Sequence, residues 1–265
     1  MTRLFGCTCN EPHRVAQALE PIRESLVAKG PVARWGLGYV QAGEVLLRRH
    51  PRPSEDVDFF RSVSELHSDY IVGCASSADG LAGNANTQPF RFRHWLFACE
   101  GGLEGEAAAV DDDLQARLLE HIPGFLARNI AGKTSAEHVF HVLLGLLYDS
   151  GSLDDPNVGL DHVRRALRDT LALVYSVMTE AGSTRGPGNI VATNGRAMFA
   201  VRLDHPIVVR GFKPPDPRRG DHKHFRAVLA MSSDAPPAEG FEAIPPNSVL
   251  TISRELQTEI HSLGN

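Results

Sequence analysis

Thr2 is the first residue whose type and place suggest chemistry. It follows Met1 in Met1-Thr2-Arg3-Leu4-Phe5-Gly6, and a small second residue lets an aminopeptidase remove the initiator, so the mature chain would open on Thr2. A terminal Thr carries both halves of a catalytic pair. Its hydroxyl is the nucleophile, and its free α-amine, with a reference pKa of about 7.7–8.0, is the neighbouring base. The competing reading is that Met1 stays and the β-branched Thr2 only opens a strand.

Histidines and cysteines form the other candidate groups. His222 and His224, in Asp221-His-Lys-His-Phe225, alternate, so on a strand both imidazoles would face one metal with Asp221 nearby. His-x-His without a third spaced ligand is weak, and a solvated strand face beside Arg218-Arg219 is the favoured reading. His138 and His141 share a helix face, where apolar neighbours predict buried, hydrogen-bonded imidazoles. Cys7 and Cys9 point to one side of a strand; with no second Cys pair or nearby His, packing is expected rather than zinc. Cys74 and Cys99 read as small buried hydrophobes. No metal and no cofactor is expected.

The elements that must position these groups come in blocks. Residues 2–9 read as a strand and 13–29 as a helix interrupted at Pro21. Trp35–Val40 and Glu44–Arg49 form a hairpin around Ala42-Gly43. Ser54 caps a helix running to Leu66, Tyr70–Ala75 is a strand, Asp79–Thr87 is loop, and Phe90–Cys99 is extended before the Glu100-Gly-Gly turn. Helices follow over Leu114–Ile130, Ser135–Asp149 and Asp161–Ala181, the first behind three acidic residues that favour a helix amino terminus. Short strands then cover 189–193, 196–203, 207–212, 224–232 and 249–253, with Asn194-Gly195 as the strongest hairpin signal. The Pro-rich patches at 213–217 and 236–246 read as surface loops. Strands and helices in blocks, without βαβ alternation, indicate an α+β fold with mainly antiparallel sheets.

Composition limits the function classes. The 265 residues include 27 Lys and Arg against 32 Asp and Glu, a net charge of -5, and no basic run supplies the phosphate-neutralising charge that nucleic acid requires. No apolar run suits a membrane span and no secretory leader is read at the amino terminus. The four cysteines are too few for a disulfide scaffold in a chain of this size. The expectation is a single cytoplasmic domain over residues 1–265.

These segments together resemble the class II glutamine amidotransferases of the amino-terminal nucleophile (Ntn) hydrolase superfamily, in particular the short standalone group that includes the ergothioneine-pathway γ-glutamyl hydrolase. Met1-Thr-Arg-Leu-Phe-Gly6 is similar to that group's Met-Cys-Arg-Leu-Leu-Gly opening, and Arg34-Trp-Gly-Leu-Gly38 to its Asp-Gly-Trp-Gly-Ile-Gly. Gly73-Cys-Ala-Ser-Ser-Ala78, Asn86-Thr-Gln-Pro-Phe90 and Trp95-Leu-Phe-Ala-Cys-Glu-Gly101 fall where the family has Gly-His-Ile-Arg-x-Ala, Asn-Thr-His-Pro-Phe and a strand ending in His-Asn-Gly. Thr134-Ser-Ala-Glu137 resembles Ser-Asp-Ser-Glu, Asn189–Arg202 the Asn-x-x-x-x-Asp-Gly hairpin, and Ser232–Ser253 the Ala-Ser-Glu-Pro segment with its following strand. The resemblance implies a four-layer αββα sandwich with two mainly antiparallel sheets.

The same alignment of motifs implies a changed site. The nucleophilic Cys falls at Thr2, the Arg that pairs with the substrate carboxylate at Ser76, the oxyanion Asn at Glu100 and the ammonium-binding Asp at Ser135. Ser76 cannot make the bidentate charged contact, and an ionised Glu100 offers acceptors only where a donor is worth about 2.7–4 kcal/mol. Gly101 retains one backbone N–H for an oxyanion. Trp35 and Gly36 complete the implied pocket, and Arg34, if it reaches it, could neutralise Glu100. Two readings follow. One is a pseudoenzyme that binds a small molecule or a protein partner; the other is an active Ntn amidohydrolase using Thr2 on a non-glutamine amide or a γ-glutamyl substrate. By analogy with this fold a homodimer is expected.

Overall fold

A computed structural model of the chain describes residues 4–77, 81–100, 110–183, 186–213, 224–233 and 239–264. Strands run in chain order as β1 (Leu4–Cys9), β2 (Val27–Ala28), β3 (Arg34–Gln41), β4 (Glu44–His50), β5 (Val57–Asp58), β6 (Tyr70–Ser76), β7 (Phe90–Phe92) and β8 (Trp95–Cys99). After the helices come β9 (Ile190–Thr193), β10 (Met198–Arg202), β11 (Ile207–Phe212), β12 (Ala227–Ser232), β13 (Glu242–Ala243), β14 (Ser248–Ile252) and β15 (Thr258–Ser262). The helices are α1 (Val15–Leu19), α2 (Phe59–Val63), α3 (Asp112–Leu119), α4 (Gly124–Ala127), α5 (Ser135–Asp149) and α6 (Leu160–Glu180).

A seven-stranded sheet, ordered β13-β11-β12-β1-β6-β3-β4, stacks on a six-stranded sheet, β15-β14-β10-β9-β8-β7. Every pairing is antiparallel, with β1 central between β12 and β6. Three cores separate the layers. Phe5, Cys7 and Leu37 pack outward against α1 and α2; Leu4, Val72, Leu96, Met198 and Leu250 fill the space between the sheets; Phe97, Phe199 and Val249 pack against α3, α5 and α6. Burial on both faces explains why β1 and β12 carry no exposed position. The result is the four-layer αββα sandwich that the resemblance implied, and the α+β arrangement of antiparallel sheets that the order of elements indicated. No helix among the described residues is long and apolar enough to cross a membrane.

Local chemistry fixes several elements. Ala42 (φ 52°) and Gly43 (φ 81°) both adopt the left-handed region, the requirement of the tight hairpin turn that joins β3 to β4. Thr134 caps α5, its hydroxyl accepting the Glu137 N–H at 3.3 Å, and Asp111 caps α3 by accepting from the Leu114 N–H at 2.7 Å.

The structure corrects several element boundaries. Ser54 does not cap a helix: its backbone bridges Val32, and Asp58 caps the shorter α2 by accepting from the Arg61 N–H at 2.9 Å. The helix expected over 13–29 is a chain of short pieces, 3-10 turns at Pro12–Arg14 and Glu20–Leu26 around α1, ending in β2. The helix expected over 114–130 divides into α3 and α4 at Pro123, which has no N–H to continue the ladder. β13 and β15 lie largely exposed and lack the apolar alternation that would announce them.

Candidate functional site

At the Leu4 end of β1, strand and helix ends converge on one small cavity. It is lined by Arg34 at the start of β3, Cys74 and Ser76 at the end of β6, Glu100 just past β8, and Thr134 and Ser135 at the head of α5. Its volume is about 20 Å³, about one water molecule's worth of space. Arg34 and Ser76 are register partners across β3 and β6. Arg34 is 7% exposed and Glu100 8%.

Glu100 is held by a residue that the sequence marked only as a hairpin start. Its N–H donates to the Asn189 carbonyl at 2.8 Å, and its Oε2 accepts from the Asn189 Nδ2 at 3.3 Å. Asn189 is fully buried; its Nδ2 also donates to the His205 carbonyl, while its Oδ1 accepts from the N–H groups of Leu203 and Asp204. One side chain therefore ties the β10–β11 connection to the residue that carries the carboxylate.

Gln88 closes a second wall. Its Nε2 donates to the Cys99 carbonyl at 2.8 Å and its Oε1 accepts from the Cys99 N–H at 2.7 Å, so the side chain acts as a substitute strand. Arg49 fixes the adjoining loop by donating to the carbonyls of Pro89 and Asn84. Gly36 permits this packing, because a Cβ there would lie 2.4 Å from the Gln88 carbonyl oxygen.

The structure brings Arg34, Ser76, Glu100 and Ser135 together and leaves Trp35 and Gly36 out of the lining. Period-two alternation sends Trp35 to the opposite face of β3, where its ring stacks on His50 at 4.0 Å and meets Phe59 edge-on. Thr2 and Gly101 lie outside the described residues, as do Asp221 and His222. His224 is exposed, and its carbonyl accepts from the Asn10 side chain. Gln88, Thr134 and Asn189 are the lining or supporting residues to which the sequence reading gave no role; the caps and turns they occupy were its only signal.

The remaining titratable candidates serve structure. His138 and His141 are buried in α5, each Nδ1 donating to the carbonyl four residues back, Thr134 at 2.9 Å and Glu137 at 2.8 Å. Burial pushes both imidazoles down, which keeps them neutral. Both carboxylate oxygens of Glu137 accept backbone N–H groups, from Ala131 at 3.0 Å and Gly132 at 2.7 Å, while burial still raises its pKa. This bracket holds the loop that leads into Thr134 and Ser135. Burial pushes Cys7 well up and Cys9 to about 12, so both remain thiols. No group of three or more His, Cys, Asp or Glu side chains among the described residues is arranged to hold a metal ion.

Solved structures similar to this chain include several glutamine amidotransferases. The chain aligns over 98% of its length with a class II glutamine aminotransferase domain protein from Silicibacter pomeroyi, at 17% identity and a TM-score of 0.58, covering 98% of that chain. A predicted glutamine amidotransferase from Pseudomonas aeruginosa matches at 14% identity and 0.59, covering 98% of this chain and 99% of that one. The glutamine phosphoribosylpyrophosphate amidotransferase of B. subtilis matches at 13% and 0.52, with 98% of this chain covering 49% of that one. No curated protein matches the chain. The family model of glutamine amidotransferases class-II matches residues 1–216. With four fifths of its sequence inside that family model and its two stacked antiparallel sheets shared with these solved structures, the chain belongs to the class II glutamine amidotransferases.

Proposed function

We propose that this chain is a catalytically silent class II glutamine amidotransferase domain, a single cytoplasmic unit over residues 1–265 that acts as a binding or partner subunit. The observation that carries this reading is the cavity of about 20 Å³ bounded by Arg34, Ser76, Glu100 and Ser135. It has room for a water and none for an amino acid. Glu100 uses its Oε2 as an acceptor toward Asn189, and a carboxyl group in its ionised form offers acceptors only. A negative charge there opposes the oxyanion that amide hydrolysis must build.

Intact-mass measurement and an amidase assay test the proposal together. The expected result is no hydrolysis of glutaminyl or γ-glutamyl substrates, equally for the native chain and Thr2→Ala. A mass showing Met1 removed, with hydrolysis that Thr2→Ala abolishes, would establish an active Thr nucleophile and reject the proposal. Retained Met1 would exclude that enzyme outright, because its amine is then an amide.

A further inference from the structure

The opposite end of the sandwich holds a second cavity, where β1 finishes at Cys9 and β6 begins at Tyr70. Its volume is about 460 Å³, within the range of roughly 300–1,000 Å³ usual for small-molecule sites. The walls are tied in place. The Tyr70 hydroxyl crosses between sheets to donate to the Arg196 carbonyl at 2.6 Å, and the Cys9 N–H donates to the Asp69 carbonyl at 3.0 Å. Asn194 Oδ1 accepts from the N–H groups of Arg196 and Ala197, fixing the β9–β10 turn. Ser253 Oγ accepts from the N–H groups of Glu255 and Gln257, fixing the turn that carries Arg254.

Three charged side chains line this cavity: Arg196, Arg254 and Asp69. Tyr70 and Asn194 are spent on the walls, but none of these three makes an ion pair or a side-chain hydrogen bond among the described residues. Burial pushes the Asp69 carboxyl up, and Arg254 draws it only partly back. A partly buried carboxylate lining a cavity favours a cationic donor, as two guanidiniums favour carboxylates.

We propose that this far-end cavity binds an acidic α-amino acid, with its two carboxylates on Arg196 and Arg254 and its ammonium on Asp69. Two guanidiniums and one carboxylate leave the lining with a single positive charge, and an acidic amino acid brings a single negative one with matching groups. A phosphate gives Asp69 nothing to hold. A plain dicarboxylate also leaves Asp69 unmatched, and a neutral amino acid leaves one guanidinium unmatched. The site shares no residue with the Glu100 cavity, so it stands or falls apart from the proposed loss of catalysis.

Isothermal titration of the full chain with L-glutamate tests the assignment, with glutarate and L-glutamine as comparison ligands. Glutamate is expected to bind, and each comparison ligand to bind about tenfold more weakly. Arg254→Gln, in an exposed turn, weakens glutamate about tenfold, and Asp69→Asn erases the preference for glutamate over glutarate. The proposal is overturned by no glutamate binding at millimolar concentration, by equal binding of glutarate, or by an affinity that neither substitution changes.

Discussion

Where β1 begins at Leu4, the space between the sheets measures about 20 Å³ and is bounded by buried polar side chains. Where the same strand ends at Cys9, the space measures about 460 Å³, and it is lined by three charged groups that make no ion pair or side-chain hydrogen bond among the described residues. The strands are shared, so the difference comes from the loops and strand ends that cap each mouth. At the near end Gln88 and Asn189 use side-chain amides to bind backbone groups, pulling loops inward. At the far end hairpin turns close on themselves and leave their long cations lining the gap. A tightly cross-bonded end is a poor receptor because its polar groups are already satisfied.

The sharpest way to break the near end is Asn189→Ala. It deletes both donor bonds and both acceptor bonds of a fully buried side chain and strands the Leu203 and Asp204 N–H groups. The expected loss is about 3 kcal/mol, read as a lower urea midpoint. Gly36→Ala comes next. Its Cβ would sit 2.4 Å from the Gln88 carbonyl oxygen, and overpacking against backbone costs about 1–3 kcal/mol. The Gln88–Cys99 clamp is expected to loosen, seen as faster amide exchange at Cys99; unchanged exchange and stability would show that the 88–89 loop yields freely.

How much of this was legible in the sequence follows the range of the forces involved. α5 occupies Ser135–Asp149 as expected, because its Thr134 cap and apolar run are local. The β3–β4 hairpin was equally legible from Ala42-Gly43. α1 and the 3-10 pieces around it were not, since packing beneath the first sheet, rather than helical periodicity, sets their form. At the near cavity, Arg34, Ser76, Glu100 and Ser135 could be named from motif positions on four separate segments. Trp35 could not be excluded until the pleat of β3 fixed which neighbour faced inward. The bonding roles of Gln88 and Asn189 gave no signal beyond the turns they occupy, because their partners lie 11 to 89 residues away.

A smaller effect concerns pH. His138 and His141 have folded pKa values pushed below the ordinary 6.5 by burial. Below that value the unfolded chain binds protons that the folded chain refuses, so stability falls on acidification. Each histidine contributes at most about 1.4 kcal/mol per pH unit as pH falls below roughly 6.5 toward its folded pKa. Glu137, whose pKa is raised, acts oppositely: its stabilising contribution is present below the ordinary 4.5 and lost as pH rises through its folded value. Thermal melts between pH 7.5 and 5.5 are therefore expected to drop on the acid side (roughly the histidine window). His141→Leu should flatten that slope; an unchanged slope would assign it to other groups.

The smallest stability change belongs to the far end, and there smallness is the informative outcome. Arg254 sits exposed in the β14–β15 turn with no ion pair among the described residues, so Arg254→Gln should shift unfolding free energy by no more than about 0.5 kcal/mol. A guanidinium that contributes nothing to folding and yet weakens glutamate binding when removed is a ligand contact rather than a strut. A clear loss of stability in the same variant would mean that Arg254 steadies Asp69 within the fold, and the contrast between a filled end and a receptive end would then disappear.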